Sequence, residues 1–500
     1  MKKPSKKIDS VSVLRFLTYL LPCVLFFSYY PIISFGSDES MNFEISLPLI
    51  WLVIFDVMAL CVLAKRRMLK GVWQKWMWLL FPLYVTLSVV WSLNFVRGSL
   101  TVGILWMIYF AGFAFWKLKD LIDVQGFREK FWRVFFGAAL VVCGWCLAQC
   151  ILDICGVGRE YTLMCAGCTY KMFGFPHPNG FAIEPQFMGN LLIAPAIISA
   201  YMIMNKLTLT KDAREDVRPS LWFLVSAGLV FLLSATLFLT FSRGAIYAFV
   251  VAIMFMSGFV IMRAEKWKAT MKRVCVAWGI IALSFLFTLN LQGIMAALGP
   301  TTDAYGDGIA KALNHLSLGA VDLRNNENGV GNVRVVEDEA ENNEPVENSV
   351  ENFEEDRGKE AVFDGYVAES TDTRVKLTES AIKVWSGDFK TAVFGVGIGG
   401  AGWALYENGL SSSPKEIVQN EYASLLLETG AAGMILLILT LVLVVWVMMK
   451  NSASGMLLAL LMAYGVTLLF FSGLPNALQI YLLPMVIMIA VGGERLRKAR

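Results

Sequence analysis

Arg243 asks first for a chemical explanation. It stands in Phe241-Ser242-Arg243-Gly244, a very short turn between two long apolar runs. A guanidinium at a membrane boundary is costly without an anionic partner, and its planar fork matches phosphate oxygens. The plainer reading is an interfacial arginine reaching out to lipid phosphate; either way an anion is expected against it. Glu184-Pro185 opens another apolar run, after Gly174-Phe-Pro-His-Pro-Asn-Gly-Phe-Ala-Ile183. An acid and a proline in a first turn both favour a helix start there, so Glu184 has a structural reason to be present as well as a carboxylate to offer. His177 lies in the same segment. The only other histidine is His315, and two histidines so far apart give no metal-ligand spacing, so no metal is expected.

Further along, Arg374 sits among apolar residues Val375, Ile382 and Trp385, spaced as on an amphipathic surface helix. Phe394-Gly-Val-Gly-Ile-Gly-Gly400 follows. A phosphate-cradling dinucleotide loop needs a strand before it and a helix after it inside a parallel sheet. In the present setting a tight turn or a close backbone approach is expected instead, with no nucleotide and no other cofactor. Gln419-Asn420-Glu421-Tyr422 then precedes Leu427-Glu428-Thr429-Gly430 and Gly433, and the segment from Asn420 to Gly430 reads as a helix leading into an apolar run. The nine cysteines make no zinc pattern. Most fall within apolar runs, and Cys165-Ala-Gly-Cys168 either pairs as a disulfide or stays reduced.

The elements that must position these residues are hydrophobic. The 500 residues are 57% hydrophobic and 17% charged, with a mean hydropathy of +0.59. Apolar runs of roughly 18–22 residues recur, the length that spans a hydrocarbon core. Twelve spans are expected, at 11–34, 45–64, 76–93, 99–116, 134–153, 184–204, 221–241, 245–262, 274–293, 431–449, 456–472 and 478–492. Met1–Ser10, Lys65–Lys75, Lys117–Arg133, Lys206–Arg218, Arg263–Arg273, Lys450 and Glu494–Arg500 carry most of the 43 Lys and Arg residues. The short loops between them carry one or none. That alternation is the positive-inside pattern, which places both termini in the cytoplasm. No cleavable signal is expected, because the first apolar run is long enough to be a span.

The fold class is therefore an all-α polytopic membrane bundle with a large outside loop between spans 9 and 10. Residues 1–293 hold the first nine spans, 294–430 the loop, and 431–500 the last three spans with a basic tail. Within the loop, Val336–Asp356 has ten acidic residues and no basic one. Residues 336–360 are accordingly expected to be a solvated, disordered insert, and 370–430 an ordered helical part.

Order and spacing of these marks resemble the O-antigen ligase and polysaccharide polymerase superfamily of membrane glycosyltransferases. The resemblance spans most of the chain and rests on Phe241–Gly244, Glu184-Pro185, Arg374 with Gly395–Gly399, and the Gln419–Gly433 segment. That last segment follows the ligase pattern of His-Asn, nine residues, Gly, two residues, Gly, except that Gln419 stands where the ligases have histidine. The resemblance implies a bacterial inner-membrane enzyme, active on the outer face, with a polyprenyl diphosphate-linked glycan as donor and a glycan or lipid as acceptor. It needs no metal, nucleotide or nucleic acid, and its partners are membrane lipids and these substrates. Arg243 and Arg374 would bind the donor diphosphate. Gln419 would orient the attacking hydroxyl but cannot accept its proton at neutral pH. Glu184, Glu421 and His177 are the substitutes for the missing base, with Ser242 and Asn420 as accessory groups. The rival reading is a transporter or flippase for lipid-linked oligosaccharide, since twelve spans with both termini inside is also a transporter plan. Against it, the long loop lies outside and late, and Asp56 is nearly alone as a mid-span acid.

Overall fold

The computed structural model describes residues 9–27, 33–35, 43–69, 77–123, 126–170, 174–205, 219–299, 305–317, 361–450, 453–472 and 478–491. Among them the chain is helical apart from one small hairpin. The first helix, α1 (Ser10–Phe27), ends earlier than the expected span. Ile33 and Ser34, which that span includes, lie in β1 (Ile33–Phe35). This strand pairs antiparallel with β2 (Phe43–Ile45), Ser34 opposite Glu44.

The helices that follow are α2 (Leu47–Lys65), α3 (Leu80–Ser88), α4 (Phe95–Ile122), α5 (Phe127–Ile154), α6 (Pro185–Asn205), α7 (Pro219–Leu239), α8 (Arg243–Met262) and α9 (Trp267–Leu298). After α9 come α10 (Tyr305–Leu316), α11 (Ala361–Trp385), α12 (Phe389–Phe394) and α13 (Ala401–Glu407), then α14 (Glu421–Met449), α15 (Ser454–Thr467) and α16 (Leu478–Val491). Eight of the described helices are long and apolar enough to cross a membrane, and four apolar helices are shorter: Met77–Trp91, Phe223–Leu239, Ser454–Thr467 and Leu478–Ile487. Each expected apolar run overlaps one of these twelve. The chain is a helical membrane protein.

Packing follows from composition. The middle of the bundle is α6, in which every residue from Met188 to Met204 is buried. It contacts α7, α8, α9 and α15. A helix apolar on all sides that is also surrounded belongs to a core. Outer helices are apolar without being covered: Val53, Ile54 and Val57 on α2, Leu283 and Leu286 on α9, and Ile435, Leu439 and Val442 on α14 are exposed. So large an uncovered apolar surface belongs in lipid, where helices satisfy their own backbone groups.

Between α9 and α14 the described chain makes a smaller cluster. Leu377 and Ala381 of α11 pack with Ala401, Ala404 and Leu405 of α13 and with Val418 and Leu427. Helix α11 begins at Ala361, ahead of the expected onset near Ser370. The acidic segment 336–360 lies outside the described residues.

Candidate functional site

The turn that carries Arg243 is strained and braced. Phe241 has a φ of +47°, a left-handed conformation unusual for a bulky side chain and costing about 1–3 kcal/mol unless neighbours enforce it. Two hydrogen bonds hold it. Its N–H donates to the Phe238 carbonyl at 3.0 Å, and its own carbonyl lies 3.1 Å from His315 Nε2. Ser242 takes the cap position of α8, so Arg243 is the first helical residue. The Ser242 hydroxyl is buried and meets no hydrogen-bond partner among the described residues. Helix α6 passes directly behind the turn at Gly189, where a Cβ would stand 2.9 Å from that of Ala245 and 3.1 Å from that of Ser242. Only glycine permits that approach.

His177 reaches the same place from the segment between α5 and α6. Cys165 and Cys168 form a disulfide, and the Cys168 carbonyl accepts the backbone N–H of His177 at 2.8 Å. Buried Gln149 of α5 holds the next turn, accepting from Gly180 N–H at 2.8 Å and donating to the Gly180 carbonyl at 3.0 Å and the Thr162 carbonyl at 2.8 Å. His177 stacks on Phe175 with ring centroids 4.6 Å apart. Its ring lies 5.5 Å from that of His315. The two histidines, remote in sequence, therefore lie beside each other. Among the described residues no group of three metal-ligating side chains accompanies them.

Burial, then His315 and Arg243, hold the His177 imidazole well below the usual histidine range. His315 is pushed down to about 4, first by burial, then by the Arg243 guanidinium and more weakly by Arg374, against the opposing pull of the Phe241 carbonyl. Both rings are neutral at physiological pH. A carbonyl can only accept, so His315 carries its proton on Nε2 and leaves a lone pair on Nδ1.

Arg374, on α11, is tied to α6. Its Nη2 donates to Gln186 Oε1 at 3.4 Å, and Gln186 Nε2 donates to the Phe470 carbonyl at 2.7 Å. Glu184 is exposed, immediately before Pro185 starts α6. Arg243 acts on both histidines and Arg374 on His315, so these residues share one neighbourhood, with Ser242 next to Arg243 in the chain and Glu184 two residues before Gln186.

The remaining expected residues have different surroundings. Gln419 is half-buried just ahead of α14. Asn420 is its cap, the Oδ1 accepting from Tyr422 N–H and Ala423 N–H at 3.1 Å each, so its side chain has a structural task. Glu421 is buried. It accepts from the Ser472 hydroxyl at 2.8 Å and the Tyr481 hydroxyl at 3.3 Å. With Arg97, Glu416, Glu428 and Ser472 it lines a small closed cavity, whose lining does not include Gln419. Phe470 and Ser472, two residues apart, connect this acidic cavity to Gln186 and so to the arginines.

The glycine loop fastens the cavity to α14. A Cβ on Gly395 would strike the Glu428 carbonyl, and one on Gly430 would strike the Val393 carbonyl. Gly397 N–H donates to the Glu428 carbonyl at 2.9 Å. A close backbone approach is what this loop provides, as its composition suggests. Four residues escaped the sequence reading: His315, Gln186, Arg97 and Glu428. His315 had the signal of being one of two histidines, and Arg97 that of a lone cation in a loop expected outside. Comparison of the chain with family models, with curated proteins and with solved structures finds no match.

Proposed function

We propose that this chain is a membrane glycosyltransferase of the O-antigen ligase or polymerase type. It transfers or polymerises glycan from a polyprenyl diphosphate-linked donor on the outer face of a bacterial cytoplasmic membrane, in cell-surface polysaccharide biosynthesis. In this reading all twelve apolar helices cross the membrane, both termini are cytoplasmic, and the segment between α9 and α14 lies outside. The observation that carries it is the convergence of Arg243 and Arg374, from elements separated by the long loop, on one buried pair of neutral histidines.

Arg243 and Arg374 both act on His315, and an anion bound near it would be attracted by both guanidiniums. A diphosphate gathers negative charge as the bond from its oxygen to the anomeric carbon breaks, so fixed cations stabilise the transition state more than the ground state. No metal or nucleotide is needed for that role. Glu184, exposed at the start of α6, is the carboxylate placed to receive the acceptor hydroxyl's proton. Glu421 is engaged by two hydroxyls inside its cavity and has the weaker claim.

The test is glycan laddering in cells that carry the wild-type chain, Arg243→Ala or Arg374→Ala, at matched protein levels. Each substitution should cut transfer by about 10²–10³, the usual cost of removing one preorganised charge-stabilising donor. Unchanged glycan length and attachment in both variants would sink the reading.

A further inference from the structure

At the end of the bundle opposite Arg243, four helix ends surround an open basic cavity that glycan transfer does not use. Helices α6 and α8 end there at Asn205 and Met262, and α9 and α15 begin there at Trp267 and Ser454. The space measures about 460 Å³, and its lining includes three cations, Arg263, Lys266 and Arg273, with Glu265 the only acid among the described residues. That volume suits a small polar headgroup. We infer that the cavity binds the phosphodiester headgroup of an anionic phospholipid, whose chains then cover the apolar surface beside it. The site is remote from Arg243 and independent of the donor chemistry.

Neutral groups hold the two arginines in place. Arg263 caps the end of α8; its Nη1 donates to the Ser454 hydroxyl at 2.6 Å, and its guanidinium lies 4.7 Å from the centre of the Phe259 ring. A Cβ on Gly455 would stand 2.9 Å from Phe259 Cδ1, so α15 starts hard against the ring on which Arg263 rests. On α9, Arg273 Nη2 donates to Thr270 Oγ1 at 2.9 Å, and its Nε donates to the Ala269 carbonyl at 3.3 Å. A guanidinium has five N–H donors, so these bonds orient each fork and leave donors for phosphate oxygens. Among the described residues no carboxylate lies within ion-pair distance of Arg263, Lys266 or Arg273.

Charge and surroundings choose the ligand. Two helices begin at this place and two end, so their dipoles largely offset and the side chains set a positive sign. Met262, immediately before Arg263, is exposed, as are Trp267, immediately after Lys266, and Met271, two residues before Arg273. Apolar side chains exposed beside cations mark the headgroup level of a bilayer, where tryptophan sits and basic pockets between helices take anionic lipid. A soluble phosphate would leave those three side chains uncovered, whereas a lipid covers them and gains by doing so. Glu265 narrows the choice further. A phosphomonoester carries nearly two negative charges and would be repelled by this carboxylate more than a singly charged phosphodiester. The glycerol hydroxyls of phosphatidylglycerol can also donate to it.

Native mass spectrometry of the full chain in non-ionic detergent tests this, with phosphatidylglycerol, phosphatidylethanolamine or phosphatidylcholine titrated in. The first phosphatidylglycerol should bind about tenfold more tightly than either zwitterionic lipid. Arg263→Gln with Arg273→Gln should weaken that binding roughly 10–30-fold, the effect of two cations near a headgroup. Arg128→Gln with Arg133→Gln, which removes two cations outside the cavity, should leave it unchanged. An equal loss in both double variants would overturn the inference, because diffuse attraction to basic loops would then explain the binding. Equal affinity for the three lipids would overturn it as well. Inorganic phosphate added in excess should displace little of the bound lipid; full displacement would assign the cavity to a soluble anion and sink the lipid reading. Should the arginine variant not fold, Lys266→Gln replaces it with an expected loss of about fivefold, and an unchanged affinity there counts against the site in the same way.

Discussion

His315 sets a stability term that runs opposite to the common one for histidine. Its folded-state pKa is depressed to about 4, against roughly 6.5 when unfolded. Between those values the unfolded chain binds a proton that the folded chain refuses. Stability is therefore full above about pH 6.5 and falls as pH drops through the window towards 4. At pH 5 the loss from this one group is about 2 kcal/mol, from 1.36 kcal/mol per pKa unit. His315→Gln, which keeps an N–H for the Phe241 carbonyl, should flatten that part of the profile. Thermal unfolding in detergent at pH 7.5 and pH 5 measures it, and an equal drop in both proteins would refute the assignment. Asn420 makes a separate case at this scale. Its Oδ1 caps α14 with two accepted N–H groups, so Asn420→Ala should cost about 1 kcal/mol of stability. Pyrophosphate affinity should stay unchanged, which is the opposite of what a residue touching the donor would show.

At the scale of elements, α14 and the glycine loop stand or fall together. Gly430 breaks α14 with a φ of +63° and lies against the Val393 carbonyl, while Gly395, at +74°, lies against the Glu428 carbonyl. Gly430→Ala meets both a left-handed backbone and a backbone clash, so it should destabilise by more than 1 kcal/mol and pull Glu428 away from the Ala401 N–H it accepts at 3.3 Å. Hydrogen exchange over residues 393–402 should then quicken, and an unaltered exchange pattern would show that the loop is held by something else. The sequence reading has a helix over 420–430 leading into the apolar run from Ala431, and the break at Gly430 that the structure shows at that junction was not expected. The first expected span, 11–34, runs too far: its apolar run includes Ile33 and Ser34, which pair in the hairpin. Periodicity also could not find the meeting of His177 with His315. That contact depends on α10 folding back against α9, a long-range packing event with no local pattern to announce it. Gln186 was hidden for a different reason, since an amide one residue past Pro185 carries no charge to draw notice.

At the scale of the whole molecule, the helices fix a direction that can be read from outside the cell. The segment after α5, with Glu160 at its short helical turn, and the segment before α9, with Lys268 in its first turn, should lie on opposite sides of the membrane if the basic loops are cytoplasmic. The Arg243 turn follows α7 and precedes α8, so it shares a side with Glu160 when α6 and α7 each cross once. Helices α6 and α7 decide this, because they are the apolar helices between Glu160 and the turn, and each has 21 residues, enough to span a hydrocarbon core. In a chain whose exposed Cys61, Cys155 and Cys275 are changed to Ser, Glu160→Cys should react with a membrane-impermeant maleimide in intact cells. Lys268→Cys should react only after permeabilisation. Labelling of both positions from outside would mean that one of α6, α7 and α8 does not cross; were it α6 or α7, the Arg243 turn would lie on the wrong face for a donor delivered to the outer leaflet.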